Sequence, residues 1–469
     1  MKSVLRGIVF ILLLVLSISG TYRIISWKDT TGDYLSSVQQ IQNTGEGLVD
    51  VFFIGSSHCY NSVYPEYLWR DSGIAAFDLA ISGQDKWSSY YSLKEALKTQ
   101  EPEVVFVDCY GLLYDGYLVE GNKYRNLLSF GLSSDNMALI EKIAGKEEKW
   151  DYFLRWPIVH TRYRELTQYD FVQYEPSVYG RGAHHEWVTG AGPDFQEARS
   201  CEAVGELSEE NQSWIDDMIA LSREKDFELV FFIAPMAVNE EDQTVFNSAA
   251  RYVKEQGMDL IDFGKLSQEL ELDGDSDFCD MNHCNAYGAA KVTEYLRKYM
   301  AEHFELEDHR GESDYQLWEL SYQYYCRLEM EQEYNNKTEN MEEYLTRALE
   351  DEDITVILNL GGYWGGYSQE LCLCLEMLGI SEEDYPQGGK WVWYNGEPVF
   401  SMDSADPQVY LLELSDTEML RIENRSVKYG EDGGTDVMIN RVSYGNDSGG
   451  MFVLLYDNFR RTIIGVREV

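Results

Sequence analysis

The chain has 469 residues and a mass of 54.2 kDa, too long for one hydrophobic core and in the range of two or three domains. It carries 38 Lys plus Arg against 82 Asp plus Glu, a formal charge of −44. A polymer this negative repels phosphate backbones and anionic headgroups, which excludes nucleic acid and charge-driven membrane adhesion. With 44% hydrophobic and 14% aromatic residues, the acidity does not imply disorder.

At the N-terminus Met1, Lys2 and Arg6 precede the apolar run Ile8 to Ile18, which closes on the small residues Ser17, Ser19 and Gly20, the order of a secretory signal. The uncharged stretch from Gly7 to Tyr22 is slightly shorter than the ~20 residues that span a bilayer, but Ile24, Ile25 and Trp27 extend it beyond Arg23. An uncleaved anchor over residues 1–28 is favoured over a cleaved signal. Lys2 and Arg6 then stay in the cytoplasm, and the rest is an extracytoplasmic ectodomain on the cell membrane, secreted if the signal is cut. Residues 29–47, polar with Thr30, Thr31, Gly32, Ser36 and Ser37, read as a tether.

Folding is expected to begin at Leu48 to Ile54, a nearly continuous apolar run that stops at Gly55, as a parallel strand buried on both faces does. Similar runs recur at Ile74–Leu79, Val104–Val107, Leu229–Ile233 and Leu260–Ile261, with helical stretches such as Ser89–Lys98 and Asn211–Lys225 between them. The βαβα alternation predicts an α/β class with a parallel sheet over residues 48–305, and ligand chemistry at the carboxyl ends of its strands.

Residues 306–353 are acidic but place Leu317, Leu320, Tyr324 and Leu328 at helical spacing, which predicts an amphipathic helical connector. From residue 354 to 469, short β-type runs at Ile354–Leu358, Lys390–Tyr394, Val409–Leu414, Asp436–Ile439 and Met451–Tyr456, with one helix over Gln369–Leu378, predict a smaller β-rich α+β domain. The eight cysteines are too sparse for a disulfide scaffold and include no CxxC pair. Cys372 and Cys374, among Leu371, Leu373 and Leu375, read as buried thiols.

The candidate chemistry lies at the two ends of the α/β region. Gly55-Ser56-Ser57-His58 follows the first strand, and a serine on such a turn has its hydroxyl exposed near a helix N-terminus. A neutral hydroxyl needs a base, and Asp280 and His283 are close enough in sequence to touch within one turn. The imidazole would take the serine proton while the carboxylate fixes its tautomer, as in a Ser-His-Asp triad. Ser56 reads as a turn residue, and His58 as a packing or substrate-contact histidine, because adjacent side chains on a turn diverge.

The pairing resembles the SGNH (GDSL-type) hydrolase superfamily, over roughly residues 48 to 303. Gly55-Ser56-Ser57 looks like its first motif with Ser57 as nucleophile, and Asp280 to His283 looks like its last. Ile81-Ser82-Gly83-Gln84 is similar to the segment whose glycine helps to bind the oxyanion. The resemblance therefore implies an SGNH-like three-layer α/β/α domain, catalytic Ser57, Asp280 and His283, and an oxyanion hole from the N–H groups of Ser57 and Gly83. It implies no cofactor and no metal. The family's third motif, an Asn in a Gly-x-Asn-Asp loop, is replaced here by Asp108-Cys109-Tyr110-Gly111, so Tyr110 or Asn122 would have to stand in, and an ionised Asp108 would repel an oxyanion.

That departure resembles the extracytoplasmic subgroup containing the D-alanine transfer protein of teichoic-acid modification and the alginate-acetylation proteins. The expectation is a membrane-anchored O-acyltransferase or acyl esterase acting on cell-surface carbohydrate with an acyl donor, beside a membrane-bound O-acyltransferase. The rival expectation is a non-catalytic surface scaffold with a vestigial triad. The C-terminal part resembles the interleukin-like EMT-inducer (PANDER-like) fold through Ile354–Leu358, Glu376–Ile380 and Gly449–Asp457, which implies a glycan- or protein-binding role.

Other clusters have plainer readings. Asp273, Asp275 and Asp277 alternate as in a calcium loop, but Phe278 and Cys284 occupy the positions that need Gly and Glu. His184-His185 lacks an HExxH spacing and reads as a surface-loop pair. Gly361-Gly362 and Gly365-Gly366 around Tyr363-Trp364 read as a loop, since no Lys-Ser/Thr follows.

Overall fold

A computed structural model describes residues 2–26, 35–114, 116, 120–166, 170–171, 179–335, 340–360, 367–385, 388–403, 409–415, 418–424, 435–439, 442–444 and 450–468. The Gly-rich 361–366 segment lies outside them. The chain divides into two units, Met1–Gln323 and Tyr324–Val469.

In the first unit, β1 (Val51–Ile54), β2 (Ala76–Asp78), β3 (Val104–Asp108), β4 (Glu228–Ile233) and β5 (Asp259–Asp262) form a parallel sheet in the order β2-β1-β3-β4-β5. Side chains alternate across a strand, so a strand with no solvated face must be apolar at every position. Phe52 and Ile54 enter one core with Trp87 and Leu93 of the helix Lys86–Ala96, Trp214 and Met218 of Glu209–Lys225, and Phe246 of Glu240–Glu255. Val51 and Phe53 enter the other with Leu68 of Pro65–Ser72 and Val292 and Leu296 of Ala286–His303. Helices thus cover both faces, giving the mixed α/β architecture with a parallel sheet. The continuous runs of the sequence are these strands.

One expectation about the ends of this unit is corrected. Part of the tether is helix, Leu35–Asn43, because Val38 and Ile41 lie on one face and both bury in the core. The acidic connector is helical, as Gln316–Tyr334 and Met341–Glu350, with apolar positions of each buried. Its residue Trp318 is buried in the first unit and donates an indole N–H to the Ala76 carbonyl at 2.8 Å. Its later residues Tyr334, Met341, Tyr344, Leu345 and Ala348 are buried in the second. The helix Lys2–Ile25 contains one span, Val4–Ile25, apolar and long enough to cross a membrane.

The second unit contains β6 (Ile354–Leu360), β7 (Gly389–Tyr394), β8 (Glu397–Asp403), β9 (Val409–Ser415), β10 (Glu418–Asn424), β11 (Thr435–Ile439), β12 (Val442–Ser443), β13 (Met451–Asp457) and β14 (Thr462–Glu468). They form two antiparallel sheets, β14-β13-β6-β7-β8 and β12-β11-β10-β9. Ile357, Val392, Leu454, Leu420, Ile422 and Val437 pack together from the two sheets. Val356, Leu358 and Val453 face Leu345 of the helix Met341–Glu350 and Leu371 and Leu375 of Gln369–Met377. Arg327, buried in this unit, donates to Asp457 at 2.9 Å and to Asp351 at 2.7 Å. All eight cysteines are free thiols, with Cys372 and Cys374 half-buried where burial is expected.

Candidate active site

Gly55 ends β1 where the chain passes so close to β3 that a Cβ on it would lie 2.5 Å from the Asp108 Cβ. Ser56 then caps the short helix Ser57–Tyr60, accepting the His58 N–H at 3.3 Å, and this turn lifts Ser57 to the carboxyl end of the sheet.

The partners of Ser57 come from 226 residues downstream, where Asp277 to Asn285 folds back on itself. Phe278 bridges Cys284, the Cys279 N–H donates to the His283 carbonyl at 3.0 Å, and the Ala237 N–H after β4 donates to the Met281 carbonyl at 2.8 Å. Asn285 closes the loop. Its side chain accepts the N–H groups of Tyr287 and Gly288, capping the helix Ala286–His303, and donates to the Ser276 carbonyl at 2.8 Å.

His283 Nε2 lies 2.9 Å from Ser57 Oγ, and His283 Nδ1 lies 2.9 Å and 3.0 Å from the two Asp280 oxygens. Asp280 also accepts the backbone N–H groups of Asn282 at 2.7 Å and His283 at 3.0 Å. Partial burial pulls the Asp280 carboxyl upward, but the hydrogen bond from His283 and those from the backbone outweigh it and hold the group below the usual carboxylate range. An ionised Asp280 can only accept, so Nδ1 carries the proton and the bare Nε2 accepts from the Ser57 hydroxyl. The expected residues Ser57, His283 and Asp280 are therefore brought together in one hydrogen-bonded row.

They open on a cleft of about 240 Å³ lined by segments that follow three adjacent strands: Ser57 and His58 after β1, Ser82 to Asp85 after β2, Tyr110 and Gly111 after β3. Gly83 lines this cleft with φ +60°, and a Cβ there would lie 2.1 Å from Asn122 Nδ2. The side-chain amide of Asn122, from the helix Glu120–Ser129, thus occupies the space over the glycine. Tyr110 lines the cleft too, its phenol held neutral by burial and by its hydrogen bond with Tyr114.

Asp108 corrects an expectation. It does not border the cleft but lies buried beneath it, its Oδ2 accepting from the Ser56 hydroxyl at 3.3 Å and its Oδ1 from the Tyr110 N–H at 3.2 Å. Burial pushes its carboxyl up to about 6. Ser56 connects it to His58 Nδ1 at 2.9 Å, a contact between residues that nothing in their spacing relates.

His184 and His185 are not a free surface pair. His184 Nδ1 lies 3.2 Å from Asn61 Oδ1, and His185 Nε2 lies 3.3 Å from the buried Glu66 carboxylate. Their segment runs alongside the His283 loop, the Ala286 N–H donating to the Glu186 carbonyl and the Gly190 N–H to that of Phe278. The aspartates 273 to 277 are occupied by their own turn and by Lys291, 2.6 Å from Asp277. Among the described residues no cluster of His, Cys, Asp and Glu is suited to hold a metal ion.

No family model matches the chain, and no curated protein matches its sequence. Among solved structures, the chain is similar to a candidate acylhydrolase from Bacteroides fragilis at 10% identity and TM-score 0.30, over 59% of this chain and 99% of that one. It is also similar to a family two carbohydrate esterase from Clostridium thermocellum at 11% identity and TM-score 0.25, over 55% of this chain and 65% of that one.

Proposed function

We propose that the protein is an SGNH-like serine esterase or O-acyltransferase, anchored in the cell membrane, whose extracytoplasmic site acts on acylated surface carbohydrate. The observation that carries this reading is the 2.9 Å approach of His283 Nε2 to Ser57 Oγ, with Asp280 on the opposite ring nitrogen. Ser57 Oγ attacks the acyl carbonyl carbon while its proton passes to His283 Nε2, and Asp280 stabilises the imidazolium. The N–H groups of Ser57 and Gly83 receive the oxyanion, with the Asn122 amide in place of the donor that the 108–111 loop lacks. His283 returns the proton to the departing oxygen, leaving an ester on Ser57. Water or a sugar hydroxyl then gives its proton to His283 and attacks that ester, releasing Ser57 with a carboxylic acid or a new ester as product. A membrane-bound O-acyltransferase would be a fitting donor partner for the transfer branch.

A fluorophosphonate probe tests this on the full-length protein in detergent. Wild type is expected to be labelled, Ser57→Ala to lose labelling entirely, and Asp280→Asn to react about 10³–10⁴-fold more slowly, because the wrong histidine tautomer is then favoured. Absence of labelling on a protein with intact circular dichroism overturns the enzyme reading in favour of a scaffold with a vestigial triad.

A further inference from the structure

His58 adjoins the proposed nucleophile but takes no part in the Ser57–His283–Asp280 row. It is 4% exposed, lines the cleft, and packs against Tyr110 with ring centroids 3.9 Å apart and the planes tilted by 34°. Its ring lies 5.0 Å from that of His283, centroid to centroid. Nδ1 is engaged with Ser56 Oγ at 2.9 Å, whereas Nε2 has no partner among the described residues. Nε2 is not among the fully buried atoms without a partner, so on a residue that lines the cleft it is the ring nitrogen that a molecule in the cleft can meet.

The proton inventory decides what Nε2 offers. The Ser56 hydroxyl has one proton, and the ionised Asp108 carboxylate, which can only accept, lies 3.3 Å away. With that proton directed to Asp108, Ser56 Oγ must accept from His58, which places the ring proton on Nδ1 and leaves a lone pair on Nε2. Burial, reinforced by His283, holds the imidazole down to about 3, so the ring is a neutral acceptor. The cleft therefore presents two imidazole acceptors side by side, of which the proposed chemistry uses one.

We infer that His58 Nε2 accepts a hydrogen bond from a second hydroxyl of the acyl acceptor, so that the site is built for a vicinal diol, the unit that a sugar ring presents. One hydroxyl of the pair is deprotonated by His283 as it attacks the Ser57 ester, and its neighbour donates to His58. This rests on the esterase reading above and specifies its acceptor.

The test is how the Ser57 ester partitions among acceptors, a ratio independent of how fast the ester forms. Full-length protein in detergent is given p-nitrophenyl acetate with equal concentrations of ethylene glycol and ethanol, and the two acetate esters are quantified relative to their uncatalysed ratio. Wild type is expected to favour the glycol by about tenfold, the worth of one net hydrogen bond. His58→Phe, which keeps an aromatic ring and removes the acceptor, is expected to bring the normalised ratio to about 1, that of the uncatalysed reaction. Ser56→Ala, which frees the ring tautomer, is expected to lower the preference about threefold and serves if the Phe variant does not fold. No glycol preference in wild type, or the same preference in His58→Phe and Ser56→Ala, overturns the inference while leaving the esterase reading standing. No acetate release by wild type, together with no fluorophosphonate labelling, defeats the esterase reading itself.

Discussion

Asp108 shows how one buried carboxyl couples the site to stability. Its carboxyl stands at about 6 through burial, against about 3.9 in an unfolded chain, so the folded state binds the proton more tightly. A raised acid of this kind favours folding below pH 4 and withdraws that contribution as pH rises through 6, a change of about 3 kcal/mol for a group so fully buried. Asp108→Asn has no proton to exchange at this position. The stability of the variant relative to wild type is therefore expected to be about 2 kcal/mol more favourable at pH 7 than at pH 4, measured by urea unfolding of the two proteins in the same detergent. Equal differences at the two pH values would show that Asp108 titrates normally. Ser57, His283 and Asp280 are legible in sequence because each signal is local, a serine after a buried strand and an Asp-x-x-His turn. The Asp108–Ser56–His58 row is not, because it joins residues 52 apart through the register of β1 against β3, which spacing alone does not encode.

At the scale of elements, the site depends on how the His283 loop is fastened to the helix that follows. Asn285 is fully buried, caps Ala286–His303 through two backbone N–H groups and ties them to the Ser276 carbonyl. Asn285→Ala removes the cap and leaves buried groups without partners, an expected loss of about 2 kcal/mol read from the urea midpoint. Because His283 lies two residues before the cap, Ser57 labelling is expected to slow at temperatures where the variant remains folded. A variant as stable and as reactive as wild type would show that the loop is held elsewhere. β1, β3 and β4 are readable as apolar runs because burial on both faces leaves few polar positions, whereas β5 at the sheet edge has only Ile261 buried. β14 is not readable in this way, since Gly465 interrupts it where a Cβ would lie 2.3 Å from Tyr344 Oη, a packing constraint invisible along the chain. The helix Leu35–Asn43 escapes for the opposite reason. Its apolar positions, Leu35, Val38 and Ile41, are three among serines and glutamines over only about two and a half turns, too short a pattern to stand out until the core supplies a partner surface for Val38 and Ile41.

For the whole molecule, a charge of −44 makes adhesion to an anionic membrane surface unfavourable, so the proposed membrane attachment rests on the N-terminal segment. Val4–Ile25 is 22 residues long, a rise of about 33 Å against a hydrocarbon thickness of about 30 Å. The end of its helix is joined to the folded unit. Arg162 donates to the carbonyls of Ile25 at 3.3 Å and Ser26 at 2.8 Å, groups left open by the helix terminus, and is itself held by the buried Asp170 at 2.7 Å. Cleavage at the small residues Ser17 to Gly20 would leave the Arg162 contacts in place but remove the apolar span, so the structure of the junction is compatible with both fates and the membrane decides between them. The 22-residue span, with Lys2 before it and Arg6 in its first turn, would be stable in the bilayer once inserted, its basic end cytoplasmic by the positive-inside rule. Retention is therefore expected: the membrane-associated protein keeps its original N-terminus by intact mass and resists extraction at alkaline pH, while deletion of residues 4–25 from a form given a cleavable export signal releases the ectodomain. A mature chain beginning near residue 21 and recovered free of membranes would instead make the protein a secreted one, leaving the proposed role of Ser57 unchanged but removing the ground for proposing a membrane-bound acyl donor beside it.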